Sequence, residues 1–266
     1  MVPGMEFLKP LVLPVTIRVA ESHGIVDLYL PSDETRPETR PETRPETQPD
    51  TQPDTRPEGR PGIPRPGILF VHGGPLPPGM TPLPRQWPIF QGYASLAADR
   101  GAAGAVVDHR LQGPDAYPLA ADDVATALDV LRGDPRVDGD RVAIWFFSGG
   151  GRLAADYLRS VPSWLRAVAL TYPMVTPFPG WPDDPRFRPA EAVASAGDLP
   201  IVLTRAGLDD PRIIEGVSEF VAAAEKANLT VLDVPNGHHG FDNKDDTDES
   251  RDAITQAFDL VLAALK

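Results

Sequence analysis

The sequence predicts an α/β fold, a mostly parallel sheet of about eight strands with helices on both faces, on three observations. Short apolar runs recur at strand length along the chain. From residue 67 onward they alternate with stretches of helical period, the signature of a parallel sheet with helical crossovers. The later runs, such as RVAIWFF (141–147) and IVLT (201–204), are nearly continuous in apolar residues, as a sheet covered on both faces requires.

Strands are expected at about 11–19, 25–30, 67–72, 103–108, 141–147, 166–171, 200–205 and 229–234. The first two have no helix between them and read as a hairpin. Helices are expected near 86–100, 118–132, 150–160, 211–227 and 248–265, with Gly101, Gly133 and Gly139 marking joins. Residues 36–55 are a tetrapeptide repeat (RPET three times, QPDT twice) with almost no apolar side chain, so 32–66 reads as an extended, mobile surface insertion. A tolerated repeat expansion accounts for it better than a partner-binding arm. Residues 172–195, YPMVTPFPGWPDDPRFRPAEAVAS, read as a short cap excursion, the whole of 1–266 being one domain.

The bulk numbers exclude several functions. A net charge of -13 repels phosphate backbones and anionic membranes, so nucleic acid and lipid surfaces are not expected partners. With no cysteine there can be no disulfide, zinc–thiolate site or thiol nucleophile. The apolar patch Leu11–Leu13 is cut by Pro10 and Pro14 and is not read as a leader, and no run approaches the ~18 apolar residues of a membrane helix. The cytoplasm is the expected location. The sequence leaves the oligomeric state open.

In open α/β sheets reactive groups gather past the carboxyl ends of strands, and four such points stand out. In RVAIWFFSGGG (141–151) an apolar strand runs into Ser148 and three glycines opening a helix. A serine on such a turn holds its hydroxyl above the sheet edge, beside free helix N–H groups; a plain helix cap uses the same residue type. In GILFVHGGP (67–75) the glycines let backbone amides approach a substrate oxygen. Pro75 has no N–H, which leaves Gly73 or Gly74 as one donor and Gly149 as the other, although a glycine turn is common in any α/β protein. His72 reads as support for this loop, and His109 has no evident companion.

In IVLTRAGLDDP (201–211) one aspartate can orient an imidazole while the other caps the next helix. Asp209 is favoured for the first use and Asp210 for the second. In VPNGHHGFD (234–242) His239 is the favoured base and His238 the alternative. A metal site for the pair lacks a third ligand at useful spacing, so no metal and no cofactor are expected.

The order Ser148, Asp209, His239 is that of the α/β-hydrolase superfamily, which residues 67–266 resemble in the dienelactone-hydrolase-like, small-esterase branch; VDHRL (107–111) and DDVATALDVLR (122–132) resemble its fourth strand and the helix that follows. The VHGGP motif also resembles the catalytic domain of prolyl-oligopeptidase-like peptidases. The resemblance implies the α/β-hydrolase fold with Ser148 as nucleophile, His239 as general base, Asp209 as orienting acid, and the amides of Gly74 and Gly149 as oxyanion hole. Dienelactone hydrolases proper carry a cysteine nucleophile, so their substrate does not transfer.

One departure is Phe146, which stands where the family's G-x-S-x-G has its first glycine; either the next helix is displaced or the turn is distorted. Phe147 and Trp181 are the expected substrate-binding residues. Phe178, Trp181 and Phe187 either roof the site or anchor their loop on the core. The expected activity is serine hydrolysis of small or medium carboxylic esters, with a peptidase or a non-catalytic small-ligand binder as alternatives.

Overall fold

The computed structural model describes residues 8–32 and 63–266, so the proline-repeat insertion expected at 32–66 falls almost wholly outside the described residues. In chain order come β1 (Glu21–His23), β2 (Val26–Tyr29), β3 (Arg65–Val71), α1 (Pro88–Asp99), β4 (Ala103–Val107), α2 (Tyr117–Gly133) and β5 (Val137–Phe147). Then follow α3 (Ala154–Arg159), β6 (Leu165–Thr171), α4 (Pro189–Ala192), β7 (Ile201–Ala206), α5 (Pro211–Ala223), β8 (Leu229–Val234), α6 (Phe241–Lys244) and α7 (Asp248–Ala264). Eight strands form one sheet in the order β1-β2-β4-β3-β5-β6-β7-β8. The β1–β2 and β2–β4 pairs are antiparallel; every pair from β4 through β8 is parallel.

The two-residue period of the strands splits the core between the faces. Ile68 and Phe70 of β3 and Ala143, Trp145 and Phe147 of β5 point to one side, with α1 and α7. Leu69, Val71, Val142, Ile144 and Phe146 point to the other, with α2, α3 and α5. Both sets are fully buried or nearly so, which is why these strands read as continuous apolar runs rather than as alternating ones.

One expected strand is absent. Residues 11–19 lie outside the sheet, and the hairpin is made instead by β1 and β2, turning at Gly24 with φ +64°. Pro10 and Pro14 remove ladder donors, and the apolar side chains at 11–15 pack on the layer of α1 and α7 instead, while Ile17 and Val19 are exposed. Leu11 is buried against α1, its Cβ only 3.0 Å from where a Cβ on Gly92 would lie, and Val12 N–H donates to the Asp242 carbonyl at 2.8 Å.

Candidate active site

From β3 the chain crosses to β4 on one side and then to β5 on the other, so the strand order reverses at β3. Such a switch opens a crevice beyond the carboxyl ends of the two neighbours. His72-Gly73-Gly74 leave β3 there and Ser148 leaves β5; Asp209 follows β7 and His239 follows β8.

Ser148 sits at φ +48°, a left-handed conformation that costs a non-glycine residue about 1–2 kcal/mol. The next turn, Ser148–Leu153, is wound as a 3-10 helix before α3 begins. A Cβ on Gly149 would lie 1.9 Å from the Gly74 carbonyl oxygen, one on Gly150 2.6 Å from that of His72, and one on Gly151 2.7 Å from Pro173 Cβ. The three glycines are therefore what lets the elbow close against the β3 loop and the chain beyond β6.

Phe146 does not obstruct that turn. Its side chain points away from the site into the core facing α2 and α3, fully buried and 6.1 Å from the Tyr157 ring of α3, centroid to centroid. The 3-10 winding of the first turn accompanies it. Phe146→Gly, although it restores the glycine of the usual motif, is expected to lower the unfolding free energy by about 3–5 kcal/mol through the cavity it leaves, without raising turnover. Urea denaturation beside an ester assay checks this; a variant as stable as the parent and more active would show that Phe146 strains the elbow.

A continuous line of hydrogen bonds joins three of these residues. Ser148 Oγ lies 2.7 Å from His239 Nε2, and His239 Nδ1–H donates to Asp209 Oδ2 and Oδ1 at 2.8 and 3.0 Å. The Asp209 side chain is 2% exposed, and its Oδ1 also accepts from the Asp210 amide at 2.7 Å. Asp210 itself is the cap of α5, accepting from Arg212 N–H at 2.9 Å, and its hydrogen bonds with Arg212 hold its pKa down at about 2. His238 turns outward to Asp245. The geometry thus separates both pairs that the sequence left side by side.

His109, which reads as isolated in sequence, stacks on His72 beneath the β3 loop, ring centroids 3.6 Å apart and 11° from parallel. Each ring has a defined tautomer. His72 Nδ1–H donates to the Gly73 carbonyl at 2.5 Å while its Nε2 accepts the His109 N–H at 3.4 Å. His109 Nε2–H donates to the His72 carbonyl at 2.8 Å while its Nδ1 accepts the Leu111 N–H at 3.3 Å. Burial pushes both imidazoles down, His109 to about 4, each with an acceptor nitrogen already committed.

The unfolded chain takes up the His109 proton near pH 6.5 and the folded one only near 4, so this contribution to stability is full above 6.5 and lost as pH falls to about 4. Asp242, raised to about 6 by burial, acts in the opposite sense: its contribution is full below pH 3.8 and lost as pH rises through 6. A comparison of wild type with His109→Gln isolates the first term. Between pH 7 and 4.5 the wild type is expected to lose about 2 kcal/mol more than the variant in urea titrations; equal losses would show that His109 is not held neutral.

Beside Ser148 lies a cavity of ≈ 340 Å³, lined by Gly73, Gly74 and His239 and by an apolar wall of Leu76, Trp87, Ile89, Phe90, Phe147 and Tyr172. Phe147 is where the sequence put it, but Trp181 is not in this lining. Trp181 meets Phe178 with ring centroids 5.3 Å apart and tilted by 57°, and packs against the core of the opposite face, and Phe187 is fully buried 5.5 Å from Tyr117. The buried Arg152 holds Phe187 there by donating to its carbonyl at 3.0 Å while lying over Tyr117, whose hydroxyl bonds the Gly149 carbonyl at 3.0 Å. These aromatics anchor their loop on the core. That wall comes instead in large part from the start of α1, where Trp87, Ile89 and Phe90 fall within the helix expected near 86–100 and no site reading singles them out. Among the described residues no cluster of His, Cys, Asp and Glu could hold a metal ion, and no helix is long and apolar enough to cross a membrane.

The sequence pattern of the dienelactone hydrolase family matches residues 92–266. No curated protein matches the chain. Among solved structures, a thermophilic esterase from the planctomycete Thermogutta terrifontis superposes in its native form with a TM-score of 0.60 at 17% identity, over 90% of this chain and 86% of that one. The same esterase phosphoramylated by tabun gives 0.62 at 18% identity, over 90% and 88%. DcsB in complex with a substrate analogue gives 0.58 at 14%, over 76% and 92%. At these identities the likeness is one of fold.

Proposed function

The chain belongs to the dienelactone hydrolase family and has the α/β-hydrolase fold, and from that premise we propose that it is a serine hydrolase cleaving small or medium carboxylic esters through Ser148, His239 and Asp209. The observation that carries the reading is the unbroken line from Ser148 Oγ through His239 to a buried Asp209, opening on an apolar cavity.

In the proposed cycle Ser148 Oγ attacks the ester carbonyl carbon as its proton passes to His239 Nε2. The tetrahedral intermediate places its negative oxygen against the N–H groups of Gly74 and Gly149, a pair worth a few kcal/mol in the transition state, on the order of 10²–10³ in rate per donor. The imidazolium, held by Asp209, returns its proton to the departing alkoxide, which leaves as the alcohol. Water then attacks the acyl-serine, giving a proton to His239 that returns to Ser148 Oγ as the carboxylic acid departs. The cavity fits a modest apolar acyl or alkoxy group, with Leu76, Trp87 and Phe90 part of its apolar wall.

Two measurements test the proposal. A fluorophosphonate probe is expected to label Ser148, with the adduct mapped by mass spectrometry, and aryl esters of increasing acyl length, run beside a dipeptide anilide, are expected to show turnover of the short esters. An unlabelled wild type that turns over no ester overturns the hydrolase reading; cleavage of the anilide in preference to every ester makes the enzyme an amidase.

A further inference from the structure

Asp242 is a fully buried carboxylate that the proposed cycle leaves unused. It lies in α6, three residues beyond His239. Its Oδ2 accepts from the Tyr93 hydroxyl of α1 at 2.9 Å, and both its oxygens accept from the Tyr172 hydroxyl at 2.9 Å. Tyr172, the first residue past β6, lines the cavity beside Ser148 and sets its ring 4.8 Å from the His239 imidazole, tilted by 60°. Phe241 meets the same ring edge-on at 5.6 Å. Tyr172 also adopts φ +36°, a conformation that persists in a bulky residue only where its surroundings impose it. Here its N–H is held by the Thr204 carbonyl at 2.9 Å and its hydroxyl by Asp242.

We infer that Asp242 and Tyr172 are a positioning pair for His239: the carboxylate anchors the tyrosine ring against which the imidazole rests, and its buried charge favours the imidazolium that forms as Ser148 attacks. This rests on the hydrolase reading for its second half. The carboxylate is met by the Tyr93 hydroxyl from α1 and the Tyr172 hydroxyl from the end of β6, and it interacts through charge with His239 from the loop after β8; the Asp209 charge also reaches the Tyr172 hydroxyl. Burial raises Asp242 to about 6, against the pull of the two tyrosine hydrogen bonds, while both phenols are pushed far above their ordinary value and stay neutral donors. Near pH 7 the carboxylate is therefore charged, and a low-polarity interior screens that charge poorly from the imidazole. Acidification through about pH 6 removes it.

Asp242→Asn keeps the shape and removes the charge. NMR titration of the His239 ring is expected to show its midpoint lower by about half a pH unit or more in the variant, with the acid limb of kcat/KM for an aryl ester moving down by the same amount. Tyr172→Phe keeps the ring and removes the anchor, and is expected to lower kcat about tenfold with KM nearly unchanged. An unmoved His239 midpoint in Asp242→Asn overturns the electrostatic role, and wild-type kcat in Tyr172→Phe overturns the anchoring role. The titration needs no turnover, so it stands apart from the labelling experiment: a wild type without esterase activity sinks the hydrolase reading while the NMR midpoint still decides this one. Should Asp242→Asn fail to unfold cooperatively, Tyr172→Phe carries the test through its kcat.

Discussion

Ser148→Ala is expected to lower kcat for a short aryl ester by on the order of 10⁶-fold and to abolish fluorophosphonate labelling, while thermal unfolding stays within a few degrees of wild type. Among the described residues the hydroxyl's partner is the His239 imidazole, which is 32% exposed, so loss of the hydroxyl leaves no buried group unsatisfied. Alanine at φ +48° meets the same local strain that serine does. The stronger form of the prediction is non-additivity. Ser148 and His239 act on one proton, so the double variant Ser148→Ala/His239→Ala should be no slower than either single one. Residual hydrolysis, about 10³-fold above water, should persist in all three, because the Gly74 and Gly149 amides and the apolar wall are untouched. Single variants whose losses multiply in the double would mean that the two side chains serve separate steps, and the line of hydrogen bonds would then be structural.

What the sequence made legible is the part of the site that strand ends dictate. Ser148, Asp209 and His239 each follow an apolar run, and in a sheet of parallel strands such positions share one edge, whatever their separation along the chain. The sequence separated Asp209 from Asp210 only weakly; in the structure Asp209 hydrogen-bonds His239 while Asp210 is the cap of α5. The wall of the cavity was illegible for the complementary reason. Trp87, Ile89 and Phe90 open a stretch of helical period, and they are buried; that the start of α1 also borders Ser148 is a matter of tertiary placement, which periodicity does not encode. Trp181 misled because a proline-rich aromatic loop after a strand end can fold toward either face, and Arg152 draws this one to the far side. Asp242 was hidden among acidic neighbours: Asp245, Asp246, Asp248 and Asp252 follow it in sequence, and only its place at the foot of α6, under Tyr93 and Tyr172, sets it apart. The missing strand at 11–19 shows the same limit: its first apolar residues pack on the helical layer rather than in the sheet, while Ile17 and Val19 are exposed, and the apolar pattern distinguishes none of these.

Asp209→Asn is expected to cost about 10⁴-fold in kcat, and the reason lies in the partners its two oxygens already have. Oδ1 accepts the Asp210 N–H at 2.7 Å, so an asparagine must keep its single oxygen there and present its NH₂ where Oδ2 now faces His239 Nδ1. A donor in that place selects the tautomer with the proton on Nε2, which then points N–H at Ser148 Oγ and cannot take its proton. Packing is unchanged, so the loss appears in kcat with the fold intact. Asp210→Asn is the control: the side chain is a surface cap of α5 paired with Arg212, asparagine caps about as well, and activity should stay within twofold of wild type with the unfolding curve little changed. Steady-state kinetics of the two variants, read beside their unfolding curves, decide the assignment; a crippled Asp210→Asn with a healthy Asp209→Asn would reverse it and require the imidazole to move away from the partner it now has.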